Sequence, residues 1–250
     1  TRKDEAWRYA DTDALARLWP LPAPGAVIVP GGGKFERAIV QEAGGVVQMQ
    51  LSIGRQAAAA LYVLNSGGDY GRVELDVTLH EGADFALGVA QIGGGAQTLE
   101  IITTVTHAEP GATSRQVVRS VAGGTATVTY LGKVAVARDA QQTDSEQDVK
   151  AMLLERSATA NAKPELEIYA DDVKCAHGAA IGELDANALF YMQSRGMPVA
   201  IIGSGLRARF FTTEPPLGRR IKVGEEWLTV VGVLAPRPVS AQTAERLGIR

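Results

Sequence analysis

The stretches EGADFALGVAQIGGGAQTL (81–99) and PGATSRQVVRSVAGGTATV (110–128) are two versions of one pattern. Aligned at an offset of 29 residues, Gly82-Ala83 meets Gly111-Ala112 and Gly94-Gly95 meets Gly123-Gly124. Val89 then meets Val118, Ile92 meets Val121, Thr98 meets Thr127 and Leu99 meets Val128. Turn residues at a fixed spacing around short apolar runs suit stacked coils, each burying its apolar edge against the next. A β-sandwich spaces its turns in a similar way, so the pattern alone leaves both architectures open.

The same texture extends outward from Val27 to Arg138. Short runs of Val, Ile, Leu and Thr are punctuated by Gly31-Gly32-Gly33, Gly44-Gly45, Ser66-Gly67-Gly68-Asp69, Gly93-Gly94-Gly95 and Gly123-Gly124. No helical pattern intervenes, which excludes alternating strand and helix units and predicts a mainly β fold. Upstream, Trp7, Tyr9, Leu15 and Leu18 are spaced for a short amphipathic helix within 4–18, ended by Pro20, Pro22 and Pro24. Downstream, 140–150 is polar, and Val149, Met152, Leu153 and Ala158 suggest a short helix or a last strand. Leu166 to Tyr169 reads as a short strand. Asp185 then caps a helix bearing Leu189, Phe190 and Met192, stopped by Gly196 and Pro198.

Charge is nearly balanced, 25 Lys and Arg against 28 Asp and Glu for a net −3, so no broad basic field attracts nucleic acid or an anionic membrane. The lone Cys175 cannot form an internal disulfide and fits a reducing compartment, the cytoplasm. No run approaches the roughly 20 apolar residues of a membrane span. Thr1 to Glu5 lacks a signal-peptide core, and a start without Met points to missing residues.

The segment PELEIYADDVKCAHG (164–178), followed by Leu184-Asp185, Leu189-Phe190-Tyr191 and Ser194-Arg195-Gly196, resembles the SufB/SufD family of iron–sulfur cluster assembly scaffolds. Ala140 to Asp144 with Gln147, Leu153-Leu154, and the opening Asp4 to Tyr9 are similar to that family too. The Cys175-Ala176-His177 spacing and the single cysteine resemble its SufD branch more than its SufB branch. The resemblance implies a right-handed parallel β-helix core with short flanking helices. It also implies a non-catalytic subunit that pairs with SufB and is served by the ATPase SufC. An iron–sulfur cluster would be held transiently at a site shared between subunits, with His177 facing a SufB cysteine. On this reading the chain divides into a helical entry (1–25), a β-helix core (26–163), a SufD-like motif with the start of a helix (164–198), and a tail (199–250).

Cys175 and His177 are chemically suited to this role, because thiolate and imidazole both ligate iron. Two donors are too few for a complete site, so a second subunit must supply the rest. Lys174 beside Cys175 would favour thiolate if the two were close, although neighbours on a strand point to opposite faces. The plainer readings are a hydrogen-bonded structural His177 and a Cys175 that packs as a small hydrophobe. A cysteine-dependent enzyme working through this pair is a rival for which the sequence suggests no substrate.

The other candidates read as structural. Asp171 and Asp172 shape a turn or face a partner, and His80 and His107 stack on neighbouring coils. Gly31-Gly32-Gly33-Lys34 lacks the spacing and the Ser or Thr of a phosphate loop, so the chain binds no ATP. Gly203-Ser204-Gly205 lacks the five-residue nucleophile elbow.

The β-rich C-terminal tail departs from the family. Val199 to Gly203, Leu217 to Gly224 and Leu228 to Leu234 resemble the extracytoplasmic domain of MacB-type ABC transporter permeases, with a hairpin about Gly224-Glu225-Glu226. This makes the tail a foreign fragment with a seam near Pro198, and an extracytoplasmic binding module or a non-functional gene fusion is the alternative to the scaffold. Without the family's closing helices, SufC docking is expected to suffer.

Overall fold

The computed structural model describes residues 10–183, 199–202, 211, 215–216, 218–223 and 226–233. Its contacts divide the chain into Thr1–Glu183 and Leu184–Arg250. In the first unit the chain winds as a parallel β-solenoid in which each coil gives one strand to each of two six-stranded sheets. One sheet holds β1 (Gly25–Val29), β3 (Gly45–Ile53), β5 (Tyr70–Leu79), β7 (Thr98–His107), β9 (Thr127–Val136) and β11 (Thr159–Ile168). The other holds β2 (Lys34–Gln41), β4 (Ala58–Asn65), β6 (Asp84–Gly93), β8 (Thr113–Ala122), β10 (Thr143–Leu153) and β12 (Val173–Glu183). The mainly β solenoid is thus the architecture adopted, and the sandwich alternative falls because every pairing within these two sheets is parallel.

Register explains the sequence repeat. β6 pairs with β8 from Asp84↔Thr113 to Gly93↔Ala122, and β7 with β9 from Thr98↔Thr127 to His107↔Val136. The glycines of the repeat fill stacked corners. Gly95 and Gly124 both have positive φ, and a Cβ on Gly124 would stand 2.7 Å from the Gly95 carbonyl, so a side chain there meets both backbone strain and a neighbouring coil. Gly31 to Gly33 likewise form a turn, with Gly33 N–H donating to the Pro30 carbonyl at 2.8 Å.

Alternation along each strand sends one set of side chains inward, where Ile53, Leu61, Val73, Leu79, Phe85, Ile101 and Val134 are fully buried. Further along the solenoid this interior turns polar. The inward column Ala59, Phe85 continues as Ser114 and Ser145, and the column Leu61, Leu87 continues as Gln116 and Gln147. Ser145 and Gln147 are each 1% exposed. The polar stretch at 140–150 is therefore largely a buried strand. Hydrogen bonding between coils lets it be so: Ser114 and Ser145 hydroxyls lie 2.8 Å apart, and the Tyr130 hydroxyl meets Gln116 Oε1 and Gln147 Nε2, both at 3.3 Å.

Within the stretch 4–18 expected to be helical, the described part holds α1 (Thr12–Arg17), capped by Asp11, whose carboxylate accepts from Ala14 N–H at 2.9 Å, while Trp7 and Tyr9 lie outside the described residues. Ala14 and Leu15 pack on Tyr70. A buried ionic cluster anchors the approach: Glu100 accepts from Asp11 N–H at 3.0 Å, Tyr70 hydroxyl at 2.9 Å and Arg72 Nη1 at 2.5 Å.

The coils continue through β11 and β12, beyond residue 163. Pro164 lies inside β11, opposite Gly132, and is tolerated there because β11 is an edge strand whose outer side needs no N–H donor. The stretch resembling SufD is accordingly part of the solenoid wall as far as Glu183. The helix read from Asp185 and the fragment Gly203-Ser204-Gly205 lie outside the described residues.

In the second unit β13 (Val199–Ile202) runs parallel to β15 (Glu226–Val233), and β14 (Arg220–Val223) is antiparallel to β15 with Val223 opposite Glu226, the hairpin expected there. Arg220 sits over the Trp227 ring at 5.5 Å.

Candidate functional site

Among the described residues β12 is the outermost strand of its sheet: one side pairs with β10 from Thr143↔Val173 to Leu153↔Glu183, and no described strand pairs with the other. Cys175 and His177, two residues apart, project toward the same face, the one that continues the interior columns. Cys175 aligns with Ser145 and His177 with Gln147. The polar columns that begin at Ser114 and Gln116 thus reach the last coil as a thiol and an imidazole. Cys175 is half-buried and packs against the apolar core, while His177 is exposed. Of the two plainer readings, core packing describes one side of the thiol; the imidazole is not enclosed.

Lys174 and Ala176 alternate to the opposite face. The condition under which Lys174 would favour thiolate, a close approach to Cys175, is accordingly not met. Burial pushes the Cys175 thiol up, a backbone hydrogen bond at Ser145 offsets part of that, and the Asp144 carboxylate pushes it up further. The isolated chain carries Cys175 as a thiol, and metal binding must displace its proton.

Beneath the pair lies a structured support. His107, fully buried at the end of β7, reaches Ser114 Oγ through Nε2 at 2.9 Å, and Ser114 passes the chain of hydrogen bonds to Ser145. Desolvation lowers His107 to about 4, so the ring is neutral. The Tyr130 hydroxyl, pushed up to about 12 by burial, links Thr103 at 3.1 Å to both glutamines. His107 reads as structural in the sequence and Gln147 belongs to the family-like stretch, but Thr103, Ser114, Gln116, Tyr130 and Ser145 do not stand out there. What could have signalled them is the substitution of Ser and Gln at inward positions that Phe85 and Leu87 occupy one coil earlier.

The remaining candidates separate. His80 and His107 lie on adjacent coils but do not stack: His107 aligns with Leu79, is sealed inside, and His80 sits at an outer corner. Asp171 and Asp172 are exposed in the turn between β11 and β12, where Asp172 N–H donates to Gln141 Oε1 at 2.9 Å and its carbonyl accepts from Gln142 N–H at 2.6 Å. They shape the turn. Among the described residues no group of three or more His, Cys, Asp or Glu is placed to hold a metal ion, and no helix is long and apolar enough to cross a membrane.

The family model for the SUF system FeS cluster assembly SufBD core domain matches residues 34–200. The chain is similar to Protein ABCI7, chloroplastic, of Arabidopsis thaliana, at 34% identity over 213 residues, covering 81% of this chain and 44% of that protein. It is similar to the iron–sulfur cluster assembly SufBD family protein slr0076 of Synechocystis, at 34% over 58% of this chain and 32% of the relative. It also matches the iron–sulfur cluster assembly protein SufD of Escherichia coli, at 37% over 38% of this chain and 22% of the relative. The chain spans less than half the length of these curated relatives. A solenoid whose strands coincide with the matched region, ending in the thiol and imidazole of the family-like segment, belongs to the SufBD family of the SUF iron–sulfur cluster assembly system.

Proposed function

We propose that the chain is a SufD-type, non-catalytic scaffold subunit of the cytoplasmic SUF machinery. It pairs with a SufB-like subunit, while a SufC-like ATPase supplies ATP-driven motion. The observation that carries this reading is the position of Cys175 and His177: one face of an edge strand, on the last coil, with the imidazole exposed. The nascent iron–sulfur cluster is the cargo. Thiolate and imidazole are acceptable iron ligands, and the SufB-like partner contributes the remaining ones at a shared site. Among the described residues β11 and β12 are edge strands, and edge N–H and C=O groups favour pairing with another polypeptide.

Residues 199–250 are read as a separate MacB-like fragment, supported by the β14–β15 hairpin. Reciprocal pull-down with SufB-like and SufC-like subunits tests the assignment. Recovery of the SufB-like subunit, weakened by a charge placed on the exposed face of the last coil (Ala179→Glu), is expected. Failure to recover either subunit, with retention on a membrane transporter, would instead favour the extracytoplasmic module.

A further inference from the structure

Three residues that are far apart in sequence form a line across three consecutive coils. Ser52 is the penultimate residue of β3, His80 follows β5 and Glu109 lies just beyond the end of β7. Ser52 Oγ lies 3.3 Å from His80 Nε2, and His80 Nδ1 lies 3.0 Å from Glu109 Oε1. The second Glu109 oxygen accepts from Glu81 N–H at 2.9 Å, which fixes the carboxylate. Its hydrogen bond from His80, then that N–H, then the nearby Arg55 charge hold the Glu109 carboxyl below the usual range, so it is an acceptor. Nδ1 must therefore carry the proton, and in the neutral ring Nε2 is left as the acceptor for the serine hydroxyl. Nucleophile, base and orienting carboxylate thus occupy the order and the ring positions of a serine triad.

We propose that Ser52 is a base-activated surface nucleophile that takes an acyl group from small activated esters. In the step, Ser52 Oγ bonds to the carbonyl carbon as its proton passes to His80 Nε2. The tetrahedral adduct then collapses, the bond to the leaving oxygen breaks, and His80 returns the proton to that oxygen, giving O-acyl-Ser52 and an alcohol or phenol. Glu109 acts as a positioning residue, holding the ring in the productive tautomer. The acyl donor has an apolar surface to rest on: Ile28 aligns with Ser52 on the neighbouring strand and is 79% exposed. The site lies on the outer face of a sheet, so a small ester reaches Ser52 directly from solvent.

The test is treatment of the full chain with p-nitrophenyl acetate, following phenolate release and locating acetyl groups by peptide mass spectrometry. Lysine acetylation in the same sample serves as the internal standard. Ser52 is expected to acetylate faster than any other hydroxyl in the chain, and Ser52→Ala to remove that adduct. His80→Gln is expected to slow it on the order of 10²-fold, as for loss of a general base. Glu109→Gln should slow it about tenfold, as for loss of a charge-assisted hydrogen bond to the base. Acetylation of Ser52 at the rate of other serines would overturn the proposal, as would an unchanged rate in His80→Gln with an unchanged circular dichroism spectrum.

Discussion

Replacing Tyr130 with Phe removes one oxygen from the centre of the polar interior and tests whether the solenoid needs it. That hydroxyl touches Thr103 Oγ1, Gln116 Oε1 and Gln147 Nε2 at 3.1, 3.3 and 3.3 Å, and Tyr130 is 1% exposed. Thr103 retains a contact with Gln116 Oε1 at 3.4 Å, so the main losses are one acceptor for Gln147 Nε2 and one donor to Gln116 Oε1. Gln116 Nε2 and Gln147 Oε1 have no hydrogen-bond partner, so neither amide has a spare bond to fall back on. Gln116 Oε1 keeps Thr103 as a donor, so Gln147 Nε2 is the buried atom left without a partner; at about 1–3 kcal/mol per such atom, with the low end for bonds this long, the loss is about 1 kcal/mol. For a chain of this size that corresponds to a fall in melting temperature of about 2–4 °C. Urea unfolding should show the midpoint lowered with an unchanged slope. The phenol stays neutral, so the difference should be the same at pH 6 and pH 9. A loss below about 0.5 kcal/mol would refute the reasoning, because it would mean Gln147 Nε2 is satisfied without the hydroxyl.

Other perturbations follow from the same packing. His107 is held near 4 against an ordinary value of about 6.5, so its neutral form carries no penalty above pH 6.5, and stability is lost as pH falls from there toward 4, by about 3 kcal/mol at the limit. The difference in stability between wild type and His107→Gln, measured from pH 8 to pH 4.5, should shift in the variant's favour as pH falls; a pH-independent difference would count against a buried neutral ring. Glu100→Gln leaves the buried Arg72 without one of its two carboxylate partners and should cost about 3 kcal/mol, whereas Glu74→Gln, on a partly exposed side chain, should cost under about 1 kcal/mol by the same denaturation assay. Gly124→Ala should destabilise by about 1–3 kcal/mol, because its Cβ would press on the Gly95 carbonyl in a left-handed conformation; an unchanged melting temperature would contradict the stacked-corner geometry.

The sequence displayed the solenoid where consecutive coils share a length and hid it elsewhere. Asp84 bonds Thr113 at a separation of 29, but Gln48 meets Glu74 at 26 and Ser114 meets Ser145 at 31, so a fixed offset aligns only one pair of coils. β10 escaped for a different reason. Its TDSEQDV start carries no apolar alternation, yet Thr143, Ser145 and Gln147 are buried because neighbouring coils supply hydroxyls and amides at matching heights. Pro164 marked a boundary in the sequence and proved to be an interior residue of an edge strand. Cys175 and His177 were recognisable through resemblance, while their common face and the direction of the thiol's shift depend on which neighbours stack beneath them. Ser52, His80 and Glu109 had no local signature, since only coil stacking brings together residues 28 and 29 positions apart.

The most direct measurement is the iron and acid-labile sulfide recovered after anaerobic co-expression with SufB-like and SufC-like subunits, compared among wild type, His177→Ala and Cys175→Ala. A shared site predicts that His177→Ala, whose side chain is exposed and whose loss should leave the fold intact, lowers cluster content severalfold, with Cys175→Ala lowering it as well. Cluster content equal to wild type in both variants, with the subunits still associated, would contradict it.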